Sequence, residues 1–203
     1  MVYPELYKEL LAKSKQYAIK SEPVPMSELI DRLYRELMAF FDMGLQKKKI
    51  IFHFYRKQFK SFYQSYYGRF GLILCDVSHL VYEYVQRDEK LFDAALLIAE
   101  HVSQSKGNDY GNGTPFDNIY SQGNIGIISR SIDKVARQRS LIVEHTQQQV
   151  QDESVLQSII DLLNYSIYSI LLVENKWNTQ ENIEAYYNYL RDNDLDCMIE
   201  RYK

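Results

Sequence analysis

Hydrophobic residues recur every three or four positions along most of the chain, which is the spacing of amphipathic helices. The stretch from Asp152 to Tyr168 keeps this pattern over its whole length. At about 100° per residue its apolar side chains occupy one broad face, with Ile160 at the border. These side chains are Val155, Leu156, Ile159, Leu162, Leu163, Ile167 and Ile170. We therefore predict one long helix here, with that face buried in a core.

The other side of the same helix carries oxygen-bearing side chains in a narrow stripe. Its members are Glu153, Gln157, Asp161 and Asn164, which fall within about 80° of arc at helical spacing. Carboxylate and amide oxygens grouped in this way are able to bind a divalent metal ion. An ordinary solvated face has the same pattern, because every amphipathic helix has a polar side. Both interpretations stay open at this point.

The same periodicity predicts further helices on both sides of this one. Their approximate ranges are 3–20, 28–43, 50–67, 72–86, 89–105, 125–145 and 180–192. We expect breaks at Glu22–Pro25, where two prolines interrupt a helix, and at Gly44. Ser27 and Asp88 are placed to cap the helices that follow them. Since no segment is convincing as a strand, the predicted fold class is all-α, a helical bundle with an N-terminal helical extension.

Composition fits one globular unit with a substantial core. The chain has 203 residues, of which 46% are hydrophobic and 18 are tyrosines. We predict a tyrosine-rich helical region over residues 1–88 that packs on a helical core with the functional site over residues 89–203. The net charge of −3 provides no basic field for duplex nucleic acid. No apolar run reaches the ~18 residues of a membrane span, so we expect a cytoplasmic protein without a membrane partner.

Two neighbouring segments carry the strongest candidate chemistry. Lys106–Gly123 lacks apolar periodicity and holds four of the eight glycines, so we predict either a functional loop or a disordered surface insertion. The next helix carries Arg130, Asp133, Lys134 and Arg137 on one face. This cationic stripe beside a carboxylate stripe is consistent with two walls of a site for a polyphosphate and its metal. A simple surface pairing of charges would explain it equally well.

Three segments resemble, in order, the motifs of one protein family. Lys106–Gly111 resembles its K-x-x-D-Y-G motif, and Arg130–Arg137 resembles its R-x-x-D-K-x-x-R motif. Asp152–Val155 together with Asp161–Tyr165 resembles its D-E-S-(I/V)…D-L-x-N-Y motif. The family is the nucleotide modification associated domain 1 family of phages and bacteria. It is more distantly similar to the MazG-like all-α NTP pyrophosphohydrolases, and the resemblance covers about residues 90–175.

The resemblance implies an all-α protein that binds a nucleotide or nucleoside triphosphate, with Mg²⁺ as cofactor and a homo-oligomer as the common assembly. It implies catalytic roles for Glu153, Asp161 and Asp109, with Glu153 and Asp161 also as metal ligands. The residues that it implies for nucleotide and phosphate binding are Lys106, Tyr110, Arg130, Lys134, Arg137 and Asn164. Asp133 belongs to the same set of matched positions.

Two departures from these patterns bear on catalysis. Gln157 stands where family members usually have a third acid, so the site loses one negative charge for a divalent ion. The E-E-x-x-E acids of the pyrophosphohydrolases have no counterpart in this sequence. We therefore carry three hypotheses. They are a Mg²⁺-dependent pyrophosphohydrolase-like enzyme, a non-catalytic protein that sequesters a nucleotide as a phage-type regulator or sponge does, and a helical scaffold assembled through its tyrosine-rich half.

Overall fold

The computed structural model describes residues 5–51, 67–110, 123–144 and 154–174, with side chains for 5–42, 70–105, 126–144 and 154–171. Almost all of this part is helical. The helices are α1 (Glu5–Lys20), α2 (Met26–Ile51), α3 (Tyr67–Tyr84), α4 (Glu89–Tyr110), α5 (Gly123–Gln138) and α6 (Val155–Glu174). A π-helical turn, Arg139–Val143, follows α5. The described ranges contain no strand, so the predicted all-α fold class is confirmed.

The other helices are arranged around α6. From Ser158 to Leu171 every residue of α6 is buried except Tyr165, so the helix is enclosed on nearly all sides. α3 and α5 contact it most extensively, and α4 and α1 add smaller contacts. Most of the predicted apolar face is buried, namely Ile159, Leu162, Leu163, Ile167 and Ile170. The helix predicted to reach Tyr168 continues to Glu174.

Side chains just before two helices cap their first turns. Asp88 Oδ1 accepts hydrogen bonds from the backbone N–H groups of Lys90 (2.8 Å) and Leu91 (3.1 Å), which confirms the predicted cap of α4. Ser154 Oγ accepts a hydrogen bond from the N–H of Gln157 (3.1 Å) at the start of α6. Both caps satisfy N–H groups that have no partner within their own helix.

The predicted cap of α2 is wrong. The helix begins at Met26, so Ser27 lies within the first turn instead of preceding it. The backbone carbonyl of Pro25 accepts hydrogen bonds from the N–H groups of Glu28 (3.0 Å) and Leu29 (3.2 Å). The helix therefore starts from the proline, whose fixed φ suits an entry into a helix.

Two predicted helix ends, one at Gly44 and one at residue 105, are also wrong. α2 does not end at Gly44 but continues to Ile51, and α4 passes through Lys106 and Gly107 to Tyr110. A glycine inside a helix costs about 1 kcal/mol relative to alanine. Adding a turn to an existing helix is cooperative, and the good helix formers that follow Gly44 offset that cost. The residues from Asn108 to Tyr110 are weaker helix formers, so propensity does not explain the continuation of α4 past Gly107. The rest of the predicted loop, residues 111–122, lies outside the described residues.

The helix predicted over 125–145 is divided in the structure. Its α-helical part ends at Gln138, and the N–H of Glu144 then donates to the carbonyl of Arg139 (3.1 Å), as in a π-helical turn. Of the helix predicted over 50–67, residues 52–66 lie outside the described part of the chain. The helix predicted over 180–192 lies wholly outside it.

One hydrophobic core includes residues from all six helices. Phe40 of α2 stacks on Phe70 of α3 at 4.8 Å between ring centroids, and Tyr82 of α3 lies 4.9 Å from Phe92 of α4. Such aromatic pairs bury a large area and prefer defined geometries. The described helices of the two predicted regions thus share this core, and the boundary at residue 88 stays a prediction. None of the described helices is both long and apolar enough to cross a membrane.

A partly buried ionic cluster holds the α1–α2 connection against the end of α3. Glu83 Oε1 lies 2.6 Å from Arg87 Nη1, 3.0 Å from His79 Nε2 and 3.3 Å from the N–H of Val24. Arg87 Nη2 also donates to the carbonyl of Ser21 at 2.7 Å. Burial acts to raise the pKa of Glu83, but these hydrogen bonds together outweigh it and hold the pKa below its usual 4.5.

This cluster predicts a pH-dependent contribution to stability. Because the folded pKa of Glu83 lies below its unfolded value, the carboxylate stabilises the fold above the unfolded pKa, and this is lost as the pH falls through the folded one. Glu83→Gln should lower the free energy of unfolding in urea at neutral pH by about 1–3 kcal/mol. The gap to wild type should close on acidification below 4.5. The control is Glu22→Gln at an exposed position nearby. A gap that did not change with pH would contradict the assigned role.

Candidate functional site

A groove of about 510 Å³ lies between α4 and the N-terminal half of α6. Pockets that hold small ligands span roughly 300–1,000 Å³, so this volume suits a small molecule. The apolar part of the lining consists of Ile98, Val102, Leu156 and Ile160. The polar part consists of His101, Ser105, Ser154, Gln157 and Asp161. Apolar walls with a few polar groups are typical of ligand-binding sites.

Helical spacing on α6 explains the polar side of the groove. Ser154, Gln157 and Asp161 recur at intervals of three and four residues and therefore share a face. Gln157 and Asp161 belong to the oxygen-bearing stripe predicted from the sequence. Asn164, which belongs to the same stripe, does not line the groove, and Glu153 lies outside the described residues.

An ion pair joins the predicted cationic helix to the predicted carboxylate helix. Lys134 Nζ on α5 lies 3.2 Å from Asp161 Oδ2 on α6. The two side chains are only 21% and 10% exposed, respectively, so solvent screens the pair much less than it screens a surface pair. The structure thus brings two of the predicted site residues together, of which Asp161 lines the groove and Lys134 does not.

The other matched residues of α5 lie on the same helix as Lys134. Arg130 and Arg137, four and three residues away, are partly buried and lie on its side of the helix by helical spacing. Asp133 is exposed. This arrangement keeps three cationic side chains along one side of a helix that packs extensively on α6.

For the remaining predicted site residues, the structure describes either the backbone alone or nothing. Lys106, Asp109 and Tyr110 lie in the last turns of α4, directly after Ser105 of the groove, but their side chains are outside the described part. Glu153 precedes the described start of the α6 segment. Among the side chains that are described, no three acidic, histidine or cysteine residues are grouped as a metal site.

Asn164 is engaged within the protein. Its side chain is 3% exposed, its Nδ2 donates to the carbonyl of Ala99 (3.2 Å), and its Oδ1 accepts a hydrogen bond from the hydroxyl of Tyr7 (2.5 Å). Nearby, the hydroxyl of Tyr168 donates to Ser103 Oγ (2.8 Å). These contacts tie α1, α4 and α6 together. Asn164 thereby helps to position one wall of the groove, and its predicted role in nucleotide binding stays a prediction.

Sequence reasoning missed α4 as a wall of the groove. Ile98 lines it at 47% exposure, and Leu91 and Leu97 are also exposed on this helix. The sequence contained a signal for this wall, because α4 has apolar residues on its outer side as well as on its core side. Phe92 and Ala99 are buried on the core side. A helix with apolar residues on two sides indicates a second apolar surface besides the core.

Fold and groove together define an all-α helical protein with a small-molecule-sized site. A scan against protein-family models finds no match, and searches of curated proteins and of solved structures find none either. The resemblance carried by the three motifs therefore stays a prediction from the sequence.

The engagement of Asn164 predicts that its loss affects the fold first. Asn164→Ala leaves the Tyr7 hydroxyl and the Ala99 carbonyl without this partner, so we expect the free energy of unfolding to fall by about 1–3 kcal/mol. Gln157→Ala, at an exposed position of the same helix, is the control and should change it by less than about 0.5 kcal/mol. Urea unfolding of both variants measures this, and equal small effects would contradict the positioning role.

Proposed function

We propose that this chain is a nucleotide-binding protein whose site is the groove between α4 and α6. The observation that carries the proposal is the composition of the groove. Its volume of about 510 Å³ suits a nucleotide, and its lining combines apolar side chains with Asp161, whose carboxylate is paired with Lys134 of α5. The resemblance of three motifs to a nucleotide-related family supports the same conclusion, since Lys134 and Asp161 both belong to those motifs.

The two kinds of lining suit the two parts of a nucleotide. Ile98 and Val102 of α4, with Leu156 and Ile160 of α6, offer an apolar surface to the faces of a base. Gln157 and Ser105 can exchange hydrogen bonds with its polar edge. The phosphates would lie toward Lys134, whose helix also carries Arg130 and Arg137.

The resemblance adds a hydrolytic form of this function, with Mg²⁺ held by Asp161 and Glu153 and with Asp109 joining them or orienting a water. Within the described groove, Asp161 supplies one carboxylate and Gln157 a neutral amide oxygen. The ammonium of Lys134 already compensates the charge of that carboxylate at 3.2 Å. These donors by themselves do not fit a magnesium site, which requires uncompensated oxygen ligands.

Binding without hydrolysis is therefore the form that the Lys134–Asp161 ion pair favours. A Mg²⁺-dependent pyrophosphohydrolase remains the second candidate, because Asp161 lies at the groove and matches an acidic motif position. The two forms differ in whether nucleotide binding requires Mg²⁺ and in whether a hydrolysis product is formed.

Thermal melting against a panel of nucleotides, each with and without Mg²⁺, tests the proposal. A ligand at about one hundred times its Kd stabilises the native state by roughly 2.7 kcal/mol, which should raise the Tm by about 5–10 °C. Ile98→Trp should abolish the shift by filling the groove. Leu97→Trp, at a neighbouring position that is 66% exposed and outside the lining, is the matched control.

The panel separates the hypotheses. A shift without Mg²⁺ supports sequestration. A shift that needs Mg²⁺, followed by product, supports the hydrolase. No shift with any nucleotide, or an equal loss in the two tryptophan variants, would contradict a nucleotide site in this groove and leave the helical scaffold.

A further inference from the structure

The motifs identify Lys134 and Asp161 separately, and the structure shows that their side chains form an ion pair. From the geometry, we infer that Lys134 is a tethered cation that takes the place of a divalent metal ion at Asp161. The groove then binds its anionic ligand directly and without a metal. This inference rests on the proposed nucleotide site and deepens it, because it names the ligand as a metal-free phosphate ester and assigns Asp161 to positioning Lys134.

The distance between the two groups leaves little room for both cations. Nζ of Lys134 lies 3.2 Å from Asp161 Oδ2, and Mg²⁺ binds carboxylate oxygens at about 2.0–2.1 Å. A metal on that oxygen would lie within about 5 Å of the ammonium. Two cations at such a separation repel each other strongly where little water lies between them.

Burial and packing keep the ammonium at this place. Both side chains are largely buried, so separating the charges would leave each without its compensation. Lys134 and Asp161 also stand on different helices, α5 and α6, which pack extensively on each other. Their separation is therefore set by the fold rather than by a flexible surface side chain.

The neighbourhood of the pair favours an anion over a metal. Gln157, one turn before Asp161, lines the groove with a neutral amide, so Asp161 is the single acid among the described lining residues. The carboxylate of Asp161 is then balanced by Lys134. An ammonium oriented by a carboxylate beside a groove is able to donate charge-assisted hydrogen bonds to a phosphate.

Titration with Mn²⁺ in the absence of any nucleotide tests this inference, with free Mn²⁺ followed by electron paramagnetic resonance. Lys134→Met keeps the unbranched stem and removes the charge, so Mn²⁺ should bind the variant at least about tenfold more tightly than wild type. Adding Asp161→Asn to this variant should remove the gain. Lys13→Met, which removes the same charge from an exposed position on α1, should leave Mn²⁺ binding unchanged. Circular dichroism and melting establish that each variant is folded.

Two further measurements test Asp161 and the anion separately. Asp161→Asn alone should not change Mn²⁺ binding, because in wild type Asp161 is paired with Lys134 rather than with a metal. Wild type should bind inorganic pyrophosphate in the presence of EDTA, and Lys134→Met should weaken that binding at least about tenfold.

Tight Mn²⁺ binding by wild type that is lost in Asp161→Asn would overturn the inference, and so would pyrophosphate binding that requires Mg²⁺. The Mn²⁺ titration contains no nucleotide, so its failure bears on the tethered cation alone. Failure of every nucleotide to bind would instead overturn the proposed function.

Discussion

A helix enclosed on nearly all sides gains stability when its charged and amide side chains find partners on the surrounding helices, and Asp161 and Asn164 of α6 do so. Its Asp161 is compensated by Lys134 of α5, and its Asn164 is hydrogen-bonded to Tyr7 of α1 and to the carbonyl of Ala99 of α4. An unsatisfied buried polar group costs about 1–3 kcal/mol. Asp161 and Asn164 therefore help to specify which helices surround α6 and at what separation.

Apolar packing and polar contacts contribute differently to this arrangement. Burying a leucine or isoleucine, as at Leu162, Leu163 and Ile167, contributes about 1.5–3 kcal/mol as an upper estimate. A typical hydrogen bond contributes about 1 kcal/mol net. Apolar burial thus supplies most of the stability but tolerates small shifts between helices. The hydrogen bonds of Asn164 form at one separation only, so they fix α4 against α6 and with it the opening of the groove.

The helical fold was largely predictable from the sequence because periodicity reports burial directly. The buried face of α6 and the cap by Asp88 depend on residues close in the chain, and both were found. The end predicted at Gly44 was wrong, since about 1 kcal/mol at a single glycine is outweighed by cooperative helix formation. The end predicted at residue 105 was wrong as well, because α4 continues to Tyr110. The local hydrophobic pattern thus predicts the presence of a helix better than it predicts where the helix ends.

The candidate site was predictable only in part. Lys134 and Asp161 were identified as site candidates, and the structure places them 3.2 Å apart. Asn164 had the same spacing as Asp161, but its partner Tyr7 stands 157 positions away, so no local pattern could predict that its side chain is tied to a distant helix. The wall supplied by α4 was missed for the same reason, because only the packing against α6 makes a groove of its apolar outer side.

A crystal structure of the chain soaked with the nucleotide that stabilises it most tests the central claim most directly. We predict that the base lies between α4 and α6, against Ile98 and Ile160. A phosphate oxygen should lie within hydrogen-bond distance of Lys134 Nζ, with no metal between that oxygen and Asp161. A nucleotide bound elsewhere on the protein would contradict the groove as the site. A metal ion bridging Asp161 and the phosphates would contradict the role of Lys134 as the cation of the site.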